Sequence, residues 1–391
     1  MNMKVLYDYQ TFFQQVGGVS RCFCELAKHM PDDVTCIFSV CESDNEYLRD
    51  KTLMPGLPHC RLTAQKFLYP LKFYGRTRLY NYLQRHFPSF PTFENVNKPY
   101  SIKVLKGGDY DVFHATLYDD YFLPYLNGKP FVITVHDMIW ELYPDKGNRL
   151  WSQQKHKLCL KANHVIAISE QTKKDLMTLW QIPENKISVV YHGAPEHVEY
   201  NYGSPIVAEP YFLYVGRRNG YKNFIQTIKD FAEFHSKYPD VNLICTGGRF
   251  TDVEKRLIDG LNLSGCVSAL FVSDKDLFNL YHYAIAFIFP SIYEGFGIPI
   301  LEAFSSGCLV LLNDSSCFPE IGGTAAVYFK SSTDGQSNLP QKLVEVYNMN
   351  KQNRNMYIQR GYERVKLFNW SMSAKKLVDI YKNVQKQNKF P

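Results

Sequence analysis

Tyr211-Phe212-Leu213-Tyr214-Val215-Gly216 is an apolar run ending on glycine, followed by a helical pattern over 222–237 and a second apolar run, Val241-Asn242-Leu243-Ile244-Cys245. Short apolar runs separated by amphipathic helices read as strands of a parallel sheet, because crossover helices cover both faces of such strands. Further strands follow at 267–272, 286–289 and 308–312, with helices near 274–282 and 299–306. Towards the N-terminus the same rhythm has already run once. Val5-Leu6-Tyr7, 35–40, Val112-Phe113-His114, 131–135 and 164–168 read as strands, and 20–29 as a helix. Between the two runs the pattern lapses at Pro195, Gly203, Pro205 and Pro210.

This alternation predicts an α/β chain of two Rossmann-like domains facing a central cleft. The first spans 1–195 and the second 211–368, joined by a linker at 196–210. The pattern over 357–387 is helical, and 369–391 is expected as a C-terminal helix packing back on the first domain. A length of 391 residues suits two domains of this size. Open parallel sheets bind ligands at the carboxyl ends of their strands, so the cleft is the expected site.

Apolar residues make up 45% and charged residues 21%, which excludes a disordered or fibrous chain. No run approaches the length of a membrane-spanning helix, and residues 1–9 lack the pattern of a signal peptide, so a cytoplasmic location is expected. The ten cysteines form no C-x-x-C pair and read as reduced core residues. A net charge of +6 without a zinc-finger or basic-helix pattern gives no reason to expect nucleic acid. The charge is unevenly placed: 51–93 contains no Asp or Glu. There Lys51, Arg61, Lys66, Lys72, Arg76, Arg78 and Arg85 alternate with Phe67, Tyr69, Phe73, Tyr74, Tyr80, Tyr82 and Phe87. Such a segment suits an anionic membrane surface, or equally a solvated basic helix over a core-facing aromatic stripe.

Four stretches can carry chemistry. In Pro290-Ser291-Ile292-Tyr293-Glu294-Gly295-Phe296-Gly297-Ile298-Pro299-Ile300-Leu301-Glu302-Ala303 a strand ends, a glycine turn follows and a helix opens near Pro299. Free backbone N–H groups there suit an anion, and the carboxylates of Glu294 and Glu302 suit sugar or ribose hydroxyls. Glu302 is expected in the first helical turn, where it could equally only complement the helix dipole. The Val215 to Asn223 loop offers Arg217, Arg218 and Lys222 to a diphosphate. Gly17-Gly18 follows the first strand, and His136-Asp137 stands just past another. The triplets Asp109-Tyr110-Asp111 and Asp274-Lys275-Asp276 read as a strand lead-in and a helix N-terminus, so no metal site is expected.

Taken together, these residues resemble glycosyltransferase family 4, retaining enzymes of GT-B architecture that use nucleotide-activated sugars. The resemblance is carried by Gly17-Gly18-Val19-Ser20-Arg21, Thr134-Val135-His136-Asp137, 167–176, 215–223, Glu294 through Glu302, and Phe318-Pro319-Glu320. Within the family the chain looks most like bacterial surface-polysaccharide mannosyltransferases. The resemblance implies transfer of a hexose, mannose favoured, from a nucleotide-diphosphate sugar to a glycan or lipid-linked saccharide. No cofactor or metal is implied beyond that co-substrate. Arg217 or Arg218, with Lys222, would hold the diphosphate. Glu302 would bind the ribose, Glu294 would touch the donor sugar along with the N–H groups of Phe296, Gly297 and Ile298, and the N–H groups from Gly295 to Ile298 would stabilise the leaving diphosphate. Gly17 and Gly18 would let backbone approach the donor, and His136 would contact the transferred sugar. His192 stands in Tyr191-His192-Gly193-Ala194, where the family usually has Asn-Gly, and its role is open. The alternatives are a GT-B phosphorylase or epimerase, or a non-catalytic nucleotide-sugar binding protein. Peripheral attachment to the inner face of the cell membrane through 51–93 is a further expectation.

Overall fold

The computed structural model describes residues 2–64, 66–68, 70–71, 73–87, 90–144, 149–195, 202–218 and 220–389. Tyr69 and Lys72 of the basic segment, Asn219 of the arginine loop and 196–201 of the linker lie outside them. Two six-stranded sheets are formed, and every strand pairing between neighbours is parallel. The first contains β1 (Met3–Tyr7), β2 (Val34–Phe38), β3 (Val112–Ala115), β4 (Phe131–Val135), β5 (His164–Ala167) and β6 (Ile187–Val189), in the order β2-β1-β3-β4-β5-β6. The second contains β7 (Tyr211–Tyr214), β8 (Asn242–Thr246), β9 (Val267–Leu270), β10 (Ala286–Phe289), β11 (Val310–Asn313) and β12 (Val327–Phe329). Its order is β12-β11-β10-β7-β8-β9.

The central strands are apolar throughout because helices cover both sides of them. Every residue of β3, β4, β7 and β10 is buried. The strand order reverses between β1 and β3 in the first sheet and between β7 and β10 in the second. At such a point, loops leaving neighbouring strands diverge to opposite faces and open a crevice. The Val215–Asn223 loop leaves β7 and the Pro290–Gly297 loop leaves β10, so topology brings the two motif loops together.

Several boundaries differ from the sequence reading. Lys222 ends a 3-10 turn, Gly220–Lys222, and the helix itself is Phe224–His235. Asn223 separates them in the left-handed conformation (φ 56°), which asparagine tolerates better than most residues. The first helix is Gly18–Lys28, with Gly17 as its extended N-cap. The pattern over 357–387 is broken into Lys351–Val365 and Trp370–Lys389. This last helix leaves the second half and lies against the Gly18–Lys28 helix and β3. There Tyr381 Oη meets His114 Nδ1 at 2.6 Å and Tyr7 Oη at 3.0 Å. The chain therefore passes between the halves twice, once through 190–210 and again at 366–369. Among the described residues no helix is long and apolar enough to cross a membrane. All ten cysteines are free.

Candidate active site

The residues that the sequence singles out gather around the β7–β10 crevice. Lys222 Nζ sits 2.5 Å from Glu294 Oε1, joining the two loops. Both side chains are mostly withdrawn from water, at 18% and 12% exposure. The neighbouring arginines separate. Arg218 Nε pairs with Glu254 Oε1 at 3.1 Å, Arg218 Nη2 donates to the carbonyls of Gly248 and Arg249, and the guanidinium lies over the rings of Phe250 and Phe224. Arg218 is a structural clasp. Arg217 is exposed, and among the described residues its guanidinium makes no hydrogen bond or ion pair. Of the two, Arg217 is the one with donors to spare. It borders a cavity of 670 Å³ shared with Gly216, Gly247 and Gly248. Gly247 adopts φ +112°, and a Cβ there would stand 3.3 Å from the Gly216 carbonyl, so these two backbones run close together.

The turn after Glu294 presses against the first half. A Cβ on Gly295 would lie 1.8 Å from the backbone oxygen of His136, a distance no real atom pair accepts. Only glycine lets the halves close to this depth. Phe296 is buried between the His192 ring and Phe368. Gly297 takes φ +93° as N-cap of the Ile298–Ser305 helix. Glu302 is the fifth residue of that helix, and no acid occupies its first turn. The dipole explanation for Glu302 therefore falls away.

What Glu302 does meet is Arg21, which crosses from the first half to within 3.3 Å of Oε1. Tyr281 Oη donates to Oε2 at 3.5 Å. Burial raises the Glu302 carboxyl above the usual range, with Arg21 opposing and Asp274 adding to the rise. No role was assigned to Arg21 from the sequence. A signal was present nonetheless: a cation in the first turn of a helix opposes the dipole and calls for a separate reason. Tyr293 and Asp175 were likewise missed. Tyr293 Oη donates to Asp175 Oδ2 at 2.7 Å and accepts from the Met138 N–H at 3.2 Å. Glu320 accepts from Glu170 N at 2.7 Å and Gln171 N at 3.3 Å, capping the Glu170–Trp180 helix from the other half.

His136 lies at the carboxyl end of β4, buried, with its ring edge-on to Phe23 and stacked 6.0 Å from His192. Burial, helped by the charge of Lys155, pushes its pKa down to about 3. His192 is held at about 3 by burial, His136 and Arg21. Both rings are therefore neutral near pH 7. His136 Nε2 is buried without a hydrogen-bond partner, which a folded protein rarely leaves so unless a ligand completes it. Gly18 has no neighbour within 4 Å of a built Cβ, and Gly17 is crowded only by the flexible end of Gln14. Among the described residues no cluster of three or more His, Cys, Asp or Glu could hold a metal.

Two family models match consecutive parts of the chain: "Glycosyltransferase Family 4" over residues 16–197 and "Glycosyl transferases group 1" over residues 204–364. The chain belongs to the GT-B glycosyltransferases. An O-antigen chain mannosyltransferase of Salmonella typhimurium, RfbU, is 33% identical over 202 residues, covering 50% of this chain and 55% of its own length. O-antigen chain mannosyltransferase B of Escherichia coli is 27% identical over 275 residues, 64% of this chain and 70% of that protein. The chain thus spans about half the length of the first of these relatives. Anabaena HepE, solved with UDP and glucose, superposes with a TM-score of 0.68 at 17% identity, over 97% of this chain and all of the other. At that identity the likeness concerns the fold alone. GT-B glycosyltransferases have two Rossmann-like halves, as here.

Proposed function

We propose that this chain transfers a hexosyl group, mannose favoured, from a nucleotide-diphosphate sugar to a glycan or lipid-linked saccharide, with retention at the anomeric carbon. The observation that carries the reading is the junction of Lys222 and Glu294 at the β7–β10 crevice, with Arg217 on the same β7 loop making no side-chain hydrogen bond or ion pair among the described residues. The mannosyltransferase names of the relatives support the sugar. Breaking the bond between the anomeric carbon and the β-phosphate oxygen leaves charge on the diphosphate. Preorganised cations and N–H groups aimed at that charge are the largest available lever. Arg217, Lys222 and the N–H groups of Gly295 to Ile298 supply them. The acceptor hydroxyl oxygen bonds to the anomeric carbon from the face the diphosphate leaves, and its proton passes to a leaving phosphate oxygen. Neutral His136 offers Nε2 to a hydroxyl of the transferred sugar, Glu294 takes another, and Glu302 takes the ribose. Gly17 and Gly18 leave the backbone open for approach from the first half. These cations stand where other enzymes place a divalent ion, so turnover is expected to persist in a chelator. Lys222→Ala should lower transfer by about 10²-fold or more. Full activity in that variant would refute the assignment.

The 51–93 segment supports a second reading, attachment to an anionic membrane on the cytoplasmic side. In the Arg76–His86 helix only Tyr80 is buried. Tyr74 is 94% exposed and Leu71 63% exposed, and Tyr82 and Phe87 are also exposed, with exposed Arg78 and Arg85 among them and Arg76 half-buried. Phe67 and Tyr80 are buried and pack edge to face with Phe90, so part of the aromatic stripe faces the core, whereas Phe73, Tyr74, Tyr82 and Phe87 stand in water. Basic and aromatic side chains together suit the lipid interface. Flotation with vesicles of 30% anionic lipid should carry the protein upward at low salt, and a protein that stays at the bottom in every mixture overturns this reading.

A further inference from the structure

The first half holds a separate cavity of 390 Å³. It lies past the carboxyl ends of β1 and β3, between the loops that leave those strands and the 51–93 segment. Tyr9, Phe13, Phe93 and Trp151 form its aromatic walls. Phe13 is 56% and Trp151 42% exposed, large rings left in water at the edge of a cavity. Leu62, Ala64 and Leu117 add a small apolar surface between them. The charged lining is of one sign: Asp44, Glu94 and Asp119, with no Lys or Arg among the described lining residues. All three carboxylates are ion-paired, Glu94 with Lys98 Nζ at 3.7 Å. Asp44 is held by His59 Nδ1 at 2.7 Å and Lys66 Nζ at 3.3 Å, and Asp119 by Lys98 Nζ at 3.0 Å. Gln10, whose carbonyl accepts from Asp119 N at 2.9 Å, fixes the backbone there.

This combination has a chemical counterpart. A pyranose shows an apolar C–H face, which stacks on aromatic rings, and a rim of hydroxyls, which donate to carboxylates. Phosphate or a uronic acid would instead bring more acceptors to carboxylates that can only accept. The apolar surface of Leu62, Ala64 and Leu117 has no use for a sugar that is hydroxylated all round. We propose that this cavity binds a sugar residue of the acceptor as a neutral pyranose bearing a methyl group, supplied by a 6-deoxyhexose or an N-acetylhexosamine. The methyl lies against Leu62, Ala64 and Leu117, the ring face on Trp151 or Phe13, and the hydroxyls on Asp44 and Asp119. The identification of the ligand as the acceptor rests on the glycosyl-transfer reading above, whereas the binding itself does not.

The test is therefore direct binding, with transfer measured separately. Saturation-transfer NMR on the full chain would use three probes: a methyl 6-deoxyhexoside, a methyl N-acetylhexosaminide and a methyl hexuronide. The 6-deoxyhexoside or the N-acetylhexosaminide should show its strongest transfer on the C6 or acetyl methyl, and which of them responds identifies the source. The hexuronide should show none. Trp151→Ala removes an exposed side chain, and Leu117→Asp puts a charge against the methyl. Each should weaken methyl-sugar binding by about tenfold or more, while the affinity for nucleoside diphosphate, measured by calorimetry, stays within twofold. Binding unchanged in both variants, or a hexuronide that binds as well as the methyl sugars, overturns the proposal. Transfer that proceeds in both variants with an unchanged acceptor KM overturns it too. A chain that binds the methyl sugar through these residues yet transfers nothing sustains the cavity and refutes the glycosyl-transfer reading instead.

Discussion

Arg21 and Glu302 meet 3.3 Å apart across the boundary between the two halves, and the carboxylate is the more buried partner. Removing the guanidinium leaves a withdrawn carboxylate that keeps, among the described residues, the Tyr281 hydroxyl as hydrogen-bond donor. Arg21→Ala should destabilise the chain by about 1–3 kcal/mol, and Arg21→Ala with Glu302→Gln should recover part of that loss. Urea unfolding of both variants tests this, and additive effects would show that the two residues do not act as a pair.

The two arginines of the β7 loop should fail in different ways. Arg218→Ala leaves Glu254 buried without its cation and should cost about 3–5 kcal/mol of stability. Arg217→Ala touches no internal partner and should change stability by less than about 0.5 kcal/mol. It should nonetheless reduce turnover of a nucleotide sugar by about 10²-fold. Thermal melts alongside initial rates separate the two outcomes, and a reversal would exchange their roles.

Gly295→Ala places a methyl group inside the His136 carbonyl, so the variant can fold each half but cannot bring them together in the same way. Far-ultraviolet circular dichroism should be unchanged, the radius of gyration by X-ray scattering should rise, and transfer should fall by at least about 10²-fold, as a misplaced catalytic geometry requires. An active Gly295→Ala enzyme would mean that turnover does not use this closed arrangement.

Stability should fall steeply in acid. His114, His136 and His192 are each held at about 3 by burial, against an ordinary value of 6.5. Between those values the unfolded chain binds protons that the folded chain refuses, so stability is full above pH 6.5 and is lost as pH falls. Each ring contributes up to about 1.4 kcal/mol per pH unit, about 4 for the three together. Asp8 acts in the opposite sense. Burial raises its carboxyl from 3.8 to about 6, so in that window the folded chain takes its proton first and returns about 1.4 kcal/mol per unit. Urea midpoints at pH 7, 6, 5 and 4 should show a net slope of about 3 kcal/mol per unit below pH 6. In His192→Phe about 1.4 kcal/mol per unit of it should disappear.

The parts of the fold that the sequence discloses are those whose physics is local. Phe131–Val135 and Ala286–Phe289 read as strands because burial on both faces leaves nothing but apolar residues. Ile187–Val189 and Val327–Phe329 escaped notice: each is a three-residue strand at the edge of its sheet, too short to show a pattern. The β7 and β10 loops were legible as strand–turn–helix junctions, and their meeting follows from the strand order. The separate fates of Arg217 and Arg218 were not legible, because Glu254 lies 36 residues beyond Arg218. Nor was the pairing of Arg21 with a carboxylate 281 residues away, which no local periodicity encodes.

Tyr381, deep in the Trp370–Lys389 helix, completes the hydrogen bonds of His114 and Tyr7 in the first sheet. During synthesis those two polar groups emerge from the ribosome more than 260 residues ahead of their partner. Until the Trp370–Lys389 helix has been made, the first sheet lacks the hydroxyl that completes these bonds, and water must satisfy His114 and Tyr7 in its place.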